Sequence, residues 1–314
     1  MNRAVALFPG QGSQFVGMGK ALYEASAAAR GVYEEASDTL GFDLAALSFR
    51  GPEEELVRTK NTQPAILAHS AAMLAELRTR GFTFTAAAGH SLGEYSAYLA
   101  AGSLTLSDAL RLVRRRGELM YEAGLARPGA MGAILGLKED VVAGLCAETP
   151  GVVGPANLNS PGQIVISGEP VAVRAALEAA SVAGAKRVVP LKVSGAFHSP
   201  LMEPAADGLA EALAGVEIRP ATFPVVANAM ADVVVDPEAI RKSLVRQLLS
   251  PVLWEASMQR LLREPGGPFL EVGPGKVLRG LLRSIDRSAT CSVAGTPEDL
   301  LKLFPEEAGK EVGP

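Results

Sequence analysis

Gly89-His90-Ser91-Leu92-Gly93 sets a serine between two glycines, after the small apolar residues Ala86 to Ala88 and before helix-favouring residues from Glu94 onward. In a G-x-S-x-G turn the glycines let a strand and a helix approach closely, and the central residue projects its hydroxyl at the helix N-terminus. There the Leu92 N–H and the positive helix end are placed to hold an oxyanion. A plain flexible turn is the alternative for so short a pattern. A serine nucleophile needs a base, and the chain has 3 histidines. His69 lies in an apolar helical stretch and reads as a core residue. His90 adjoins Ser91, and successive side chains at a strand end point to opposite sides. His198, in GAFHSPLM, stands on a loop between Gly195 and Pro200 with no packing role that the sequence requires, and is the candidate base. No acid fits a third position: Asp108 reads as a helix N-cap and Asp140 falls on a separate segment. The partner that orients the histidine is therefore expected to be neutral, a carbonyl or an amide.

A charged group on an apolar face adds a second site feature. In DALRLVRRRGELMYEA, residues 108–123, Leu112, Val113, Leu119 and Met120 form a stripe at helical spacing. Arg116 falls within that stripe, whereas Arg114 and Arg115 point elsewhere. A buried guanidinium costs several kcal/mol unless an anion pairs with it. An internal salt bridge is one resolution, and a bidentate clamp on a substrate carboxylate is the other. Gln247 repeats the pattern beside Ile240, Leu244 and Leu248: it reads either as a hydrogen-bonded core amide or as a partner for a site histidine.

These residues need a frame. Ala4 to Phe8 reads as a buried strand followed by a glycine-rich loop and a helix from about Lys20. Residues 63–78 read as an apolar helix, and strand, turn and helix follow around Ser91. This alternation predicts an α/β fold with a mainly parallel sheet. Residues 129–194 then read as β, α, β, β, α, β, the order of a ferredoxin-like unit. The expected organisation is a discontinuous large domain, 1–127 and 196–305, a small inserted domain, 128–195, and a loose charged tail, 306–314. Strand, two helices (237–249 and 251–263) and strand resume the α/β pattern after the insert. Neither glycine loop fits a nucleotide site: Phe15 replaces the third dinucleotide glycine after Gly10 and Gly12, and Met18 stands where a P-loop lysine is required.

Composition narrows the class. The chain has 314 residues, 20% charged, with a net charge of −4 and a mean hydropathy of +0.20, which points to a folded protein and away from nucleic acid. Two cysteines in no metal-ligand spacing, no signal-like N-terminus and no membrane span lead us to expect a cytoplasmic protein without a bound metal. A monomer is expected. Lys276, Arg279, Arg283 and Arg287 form a basic stripe opposite Leu278, Leu281, Leu282 and Ile285, either an ordinary solvated face or a surface that steers an acidic partner.

Taken in order, FPGQGSQ, GHSLGEY, RRRGELM, NSPGQIVISG, GAFHSPLM, QLLSPVLWEAS and EVGPGKVL resemble the malonyl-CoA:acyl carrier protein transacylase family over nearly the whole chain. The resemblance implies an α/β-hydrolase-like core with a ferredoxin-like insert. It implies Ser91 as the acylated nucleophile, His198 as its base, Arg116 on the malonyl carboxylate, and Gln11 and Leu92 as oxyanion donors. It matches Gln247 to the family's site glutamine, with its amide near the histidine, and Asn159 to the acyl-CoA cleft. GAFH resembles the malonyl-selective pattern. The substrates would be malonyl-CoA and the phosphopantetheine thiol of an acyl carrier protein, with no bound cofactor. A free-standing enzyme of fatty-acid synthesis is expected, since no carrier, ketosynthase or reductase segment accompanies the chain. The basic stripe would then meet the acidic carrier. An ester or thioester hydrolase and a non-catalytic binding scaffold are the rival expectations.

Overall fold

The computed structural model describes residues 2–193 and 195–305; the tail expected at 306–314 lies outside the described residues. Among these, ten strands occur: β1 (Arg3–Phe8), β2 (Thr83–Gly89), β3 (Ala130–Leu135), β4 (Val153–Ser160), β5 (Gln163–Gly168), β6 (Arg187–Pro190), β7 (Val225–Ala227), β8 (Asp232–Val233), β9 (Phe269–Val272) and β10 (Cys291–Ala294). They form a six-stranded sheet in the order β10-β9-β1-β2-β7-β8 and a four-stranded sheet in the order β4-β5-β3-β6. The first is parallel except for the β7–β8 pair. The second is antiparallel throughout.

Alternation along β1 explains how the large sheet is covered on both faces. Ala4, Ala6 and Phe8 share one apolar cluster with buried residues of the helices Ala27–Leu40, Thr59–Thr79 and Leu106–Ala126. Val5 and Leu7 share another with Trp254, Met258, Leu278 and Leu282 from the helices Trp254–Arg263 and Val277–Ile285. A parallel strand buried on both faces reads as a continuous apolar run, which is what ALF at 6–8 shows. In the small sheet Ile134, Ile164 and Ile166 pack on the helices Glu139–Glu148 and Pro170–Val182. Met131, Ala133 and Val165, on the other face, join the main core.

Two docking features position the site. The helix expected over 63–78 starts earlier, at Thr59, and carries Pro64 inside it. Proline has no N–H to offer the Lys60 carbonyl, and Arg114 Nη1 donates to that oxygen instead at 3.1 Å. Gly117 lies against the same turn, where a Cβ would come within 2.6 Å of Lys60 Cα. The two long helices therefore cross closely just where Gln63 meets Arg116. At the seam between the sheets, β4 pairs with the segment before Trp254: Leu158 N–H donates to Val252 O (2.9 Å) and Val252 N–H to Ala156 O (2.8 Å). That extended segment is why the helix expected from 251 begins only at Trp254.

Candidate active site

The turn around Ser91 is built by interlocked glycines. A Cβ on Gly89 would overlap the Gly93 carbonyl, and one on Gly93 would overlap the Phe8 carbonyl oxygen, so neither position admits a side chain. Ser91 sits at φ 51°, in the left-handed region that non-glycine residues rarely adopt. Asn228, fully buried just after β7, secures it from the neighbouring strand. Its Oδ1 accepts from Ser91 N–H at 2.7 Å, and its Nδ2 donates to Gly89 O at 2.7 Å. Sequence reading missed Asn228, because its place beside the turn follows from the β2–β7 pairing and from no spacing in the chain.

His198 also has a positive φ, 57°, and is buried. Its Nε2 lies 2.8 Å from Ser91 Oγ and its Nδ1 lies 2.9 Å from the Gln247 carbonyl oxygen. A carbonyl only accepts, so Nδ1 carries the proton and Nε2 presents a lone pair to the serine hydroxyl. Burial, reinforced by the Arg116 charge, lowers the His198 pKa to about 3, so the ring is neutral at neutral pH. The neutral orienting partner expected from the sequence is thus the Gln247 backbone carbonyl. The Gln247 side-chain amide, expected near the histidine, is engaged elsewhere: Nε2 donates to Ser91 O (3.0 Å) and Glu94 Oε2 (2.8 Å), and Oε1 accepts from Arg116.

Arg116 is 1% exposed. Nη1 donates to Gln63 Oε1 at 2.8 Å, and Nη2 donates to Gln247 Oε1 at 2.9 Å and to Ser91 Oγ at 3.1 Å. Its guanidinium carbon stands 5.8 Å from the Tyr95 ring centroid. Its Nε has no partner, and no carboxylate forms an ion pair with it among the described residues. The internal salt bridge is therefore not the solution adopted; neutral amides hold the cation. Glu94 lies one amide further out, fully buried, with its pKa pushed up to about 7 mainly by burial. Gln63 and Glu94 were also missed: Glu94 stands in the first turn of the Gly93–Ala100 helix, where an acid reads as an ordinary dipole partner.

Gln11, His90, Ser91, Leu92, Arg116, Met120, Met131, Asn157, Leu191, Val193, Phe197 and His198 line a cavity of about 130 Å³. The backbone N–H groups of Gln11 and Leu92 make no hydrogen bond among the described residues. A second cavity of about 340 Å³ shares Gln11 and Val193 with the first and is flanked by Arg58 and Lys192. Asn159 stands behind the lining, with Oδ1 2.8 Å from His90 Nε2, while the His90 ring packs 5.3 Å from that of Trp254. His69 is a core residue, its Nε2 2.9 Å from Gly295 O. Asp108 is not the N-cap expected: Thr105 caps the Leu106–Ala126 helix, accepting from Asp108 N–H and donating to Asp108 Oδ2. Arg279 and Arg283 lie on the exposed face of Val277–Ile285, with Lys276 at its start and Arg287 past its end. None of the four lines either of these cavities. Among the described residues no cluster of His, Cys, Asp or Glu could hold a metal ion, and no helix is long and apolar enough to cross a membrane.

The arrangement is a strained serine, a neutral histidine and a caged arginine meeting at one oxygen, and comparison with known proteins places the chain in a family. Residues 5–306 match the family model described as an acyl transferase domain. A malonyl CoA-acyl carrier protein transacylase of Bacillus subtilis (strain 168) is 48% identical over 303 residues, covering 96% of each chain. A solved acyl carrier protein S-malonyltransferase from Vibrio cholerae superposes with a TM-score of 0.93 at 42% identity, covering 96% of this chain and 100% of its own. A malonyl-transacylase solved in complex with a type II PKS acyl-carrier protein gives a TM-score of 0.93 at 43% identity, covering 98% of this chain and 100% of its own. The chain is an acyltransferase and belongs to the malonyl CoA-acyl carrier protein transacylase family.

Proposed function

We propose that this protein moves a malonyl group from malonyl-CoA to the phosphopantetheine thiol of an acyl carrier protein through a malonyl ester on Ser91. The observation that carries the reading is the buried Arg116 guanidinium, 3.1 Å from Ser91 Oγ, with its Nε unpartnered and no ion pair among the described residues. The names of the relatives and the carrier-bound neighbour support it from outside the site. As Ser91 Oγ attacks the thioester carbon, His198 Nε2 takes its proton. The tetrahedral oxyanion is held by the N–H groups of Gln11 and Leu92. Collapse expels the CoA thiolate, which leaves with the proton from His198. The carrier thiol then repeats the sequence in reverse, giving ping-pong kinetics. Esterification turns Ser91 Oγ into a poor acceptor for the Nη2–H that rests on it, and that hydrogen turns to the incoming carboxylate together with the free Nη1–H. Asn159 acts at one remove, by fixing His90 in the cavity wall. Every step uses the chain's own side-chain and backbone groups and the substrates themselves, so the reading calls for no resident cofactor. The frame we propose is an α/β-hydrolase-like core, 1–127 and 196–305, with a ferredoxin-like insert, 128–195. The sheet order β4-β5-β3-β6 and its two covering helices support the second part.

The test is intact-mass analysis after mixing with malonyl-CoA. The unmodified protein should gain one malonyl group and lose it to a holo carrier protein, and Ser91→Ala should gain none. An adduct on the alanine variant would move the nucleophile elsewhere. Release of free malonate in preference to transfer would make the protein a hydrolase.

A further inference from the structure

Glu94 is a fully buried acid that the proposed steps do not use. Its Oε2 accepts from Gln247 Nε2 at 2.8 Å and from Asn228 N–H at 3.0 Å, while Oε1 is buried with no hydrogen-bond partner. The Ser243 hydroxyl lies beside it, near enough to favour the charged carboxylate, though its Oγ makes no hydrogen bond of normal geometry. Gln247 Oε1 in turn accepts from Arg116, so one amide spaces a carboxylate from a guanidinium. The unloaded site thus holds one buried cation and one buried acid at second-neighbour distance. A malonyl carboxylate on Arg116 adds a second acid to the same cation, away from water. Two carboxylates cannot both stay ionised cheaply beside a single positive charge in such a place.

We propose that Glu94 takes up a proton from solvent when a malonyl carboxylate docks on Arg116, and gives it back when the malonyl group leaves. The inference rests on the malonyl-serine reading above. The new bond is an O–H on the open Oε1, with the Ser243 hydroxyl as the adjacent acceptor; Oε2 keeps both of its donors. No other charge near Glu94 changes in the same range. Arg116 stays cationic, and Tyr95 and Tyr98 are raised above their ordinary values by burial and remain neutral. Gln247, Ser243 and Asn228 carry no charge. On the adjacent Thr59–Thr79 helix, His69 is bonded to Gly295 O, Glu76 to Arg80, and Arg78 to Ala100 O. His198 is held neutral, and burial lowers the pKa of His90, on the turn before the Glu94 helix, as well. The burial that raises Glu94 to about 7 in the unloaded site makes it a ready acceptor.

The consequence is a proton count that depends on the acyl group. Rapid mixing of the protein with malonyl-CoA or acetyl-CoA in weak buffer with an indicator dye reads proton uptake per CoA released. Malonyl loading should take up about half a proton more than acetyl loading at about pH 7, nearer one at about pH 8, and little below about pH 6. Glu94→Gln should abolish the difference. Equal counts for the two thioesters in the unmodified protein, or an excess that survives in E94Q, would overturn the proposal. If E94Q does not fold, infrared difference spectra of the unmodified protein labelled with 13C-carboxyl glutamate carry the test. Malonyl loading should replace one carboxylate band by one carboxylic-acid band, and its absence is a refutation. If no CoA is released on mixing with malonyl-CoA, the malonyl-serine reading itself fails, and the proton coupling falls with it.

Discussion

Replacing Arg116 by alanine tests the proposed selectivity most directly. A malonyl carboxylate would accept two charge-assisted hydrogen bonds from the guanidinium, each contributing about 1.5–3 kcal/mol. Desolvating the carboxylate offsets part of that gain. From the sequence alone, acetyl rejection would be ascribed to a wholly unpaired arginine, a penalty of about 2–5 kcal/mol. The structure lowers this, because Gln63 and Gln247 keep two of the N–H groups satisfied whatever acyl group is present. We therefore expect a malonyl-over-acetyl preference of about 2–3 kcal/mol from this residue, or about 30- to 150-fold in kcat/KM. Arg116→Ala should reduce malonyl loading by that factor while acetyl loading falls much less. The variant also leaves Gln63 Oε1 and Gln247 Oε1 without their donor, which costs about 1–3 kcal/mol of stability for each. Absolute rates will therefore drop for structural reasons, and the informative quantity is the ratio. Single-turnover CoA release with each thioester, checked by intact mass, provides it. A malonyl-to-acetyl ratio in R116A within about threefold of the unmodified protein would refute the clamp.

Other outcomes follow from local geometry. Asn228→Ala strands the Ser91 N–H and the Gly89 carbonyl in a buried turn; a loss of about 2–4 kcal/mol in denaturant melts is expected, and a loss under about 0.5 would mean the staple contributes nothing. Gly89→Ala should not yield folded protein, whereas Gly144→Ala, on a helix with no atom within 4 Å of the new methyl, should melt at or above the parent temperature. Folding stability should fall on mild acidification. Burial holds His69 at about 4 and His198 at about 3 and lowers His90 too, so unfolding lets all three take up protons below about pH 6.5. Glu94 and Glu271, raised by burial, act oppositely: their contribution is complete below about pH 4.5 and is lost as pH rises through the folded-state value. Near pH 5.5 these shifts leave the unfolded chain binding about one more proton, and fewer near pH 6.5, so stability should drop by about 1 kcal/mol per pH unit there, and a flat profile would contradict this. Finally, Arg279→Glu with Arg283→Glu should raise the KM for carrier protein several-fold and leave Ser91 loading by malonyl-CoA intact; an unchanged KM makes the stripe plain surface.

What the sequence disclosed and what it hid divide along a physical line. Arg116 and Gln247 were legible because a polar group on an apolar helical stripe contradicts its surroundings, and the contradiction can be counted in steps of three and four. Ser91 was legible because two glycines mark a backbone that tolerates no Cβ. Gln63, Glu94 and Asn228 lack such a contrast. Every residue of the Gly93–Ala100 helix is buried, so Glu94 has no polar face to depart from. Asn228 follows a three-residue strand, too short to show alternation. Strand β10 went unread because, at the sheet edge, Cys291 and Val293 are only partly buried and Ser292 is exposed. The partner of His198 was legible as a class, neutral and not acidic, but a backbone carbonyl has no letter in the sequence.

That carbonyl bears on why such a site would transfer and not hydrolyse. A carboxylate behind a histidine stabilises the imidazolium that forms when the ring takes a proton; a carbonyl does so far less, and here a buried arginine 3.1 Å from the same serine opposes it further. The resulting base is weak, in keeping with a His198 pKa of about 3. On the malonyl-serine proposal Arg116, 3.1 Å from Ser91 Oγ, would favour the charged serine for any acyl donor, a contribution that cancels in the malonyl-to-acetyl ratio. Among acceptors, a thiol with a pKa of about 8.5 needs little help, whereas water at about 15.7 needs a great deal. On the malonyl-serine proposal, the weak base thus favours a carrier thiol over water without any need to exclude water from the cavity. Supplying a carboxylate behind the ring would remove that discrimination. Because the partner is main chain, no side-chain substitution at Gln247 can place a carboxylate there, although losing that side chain would still strip Arg116 and the Ser91 carbonyl of their partner.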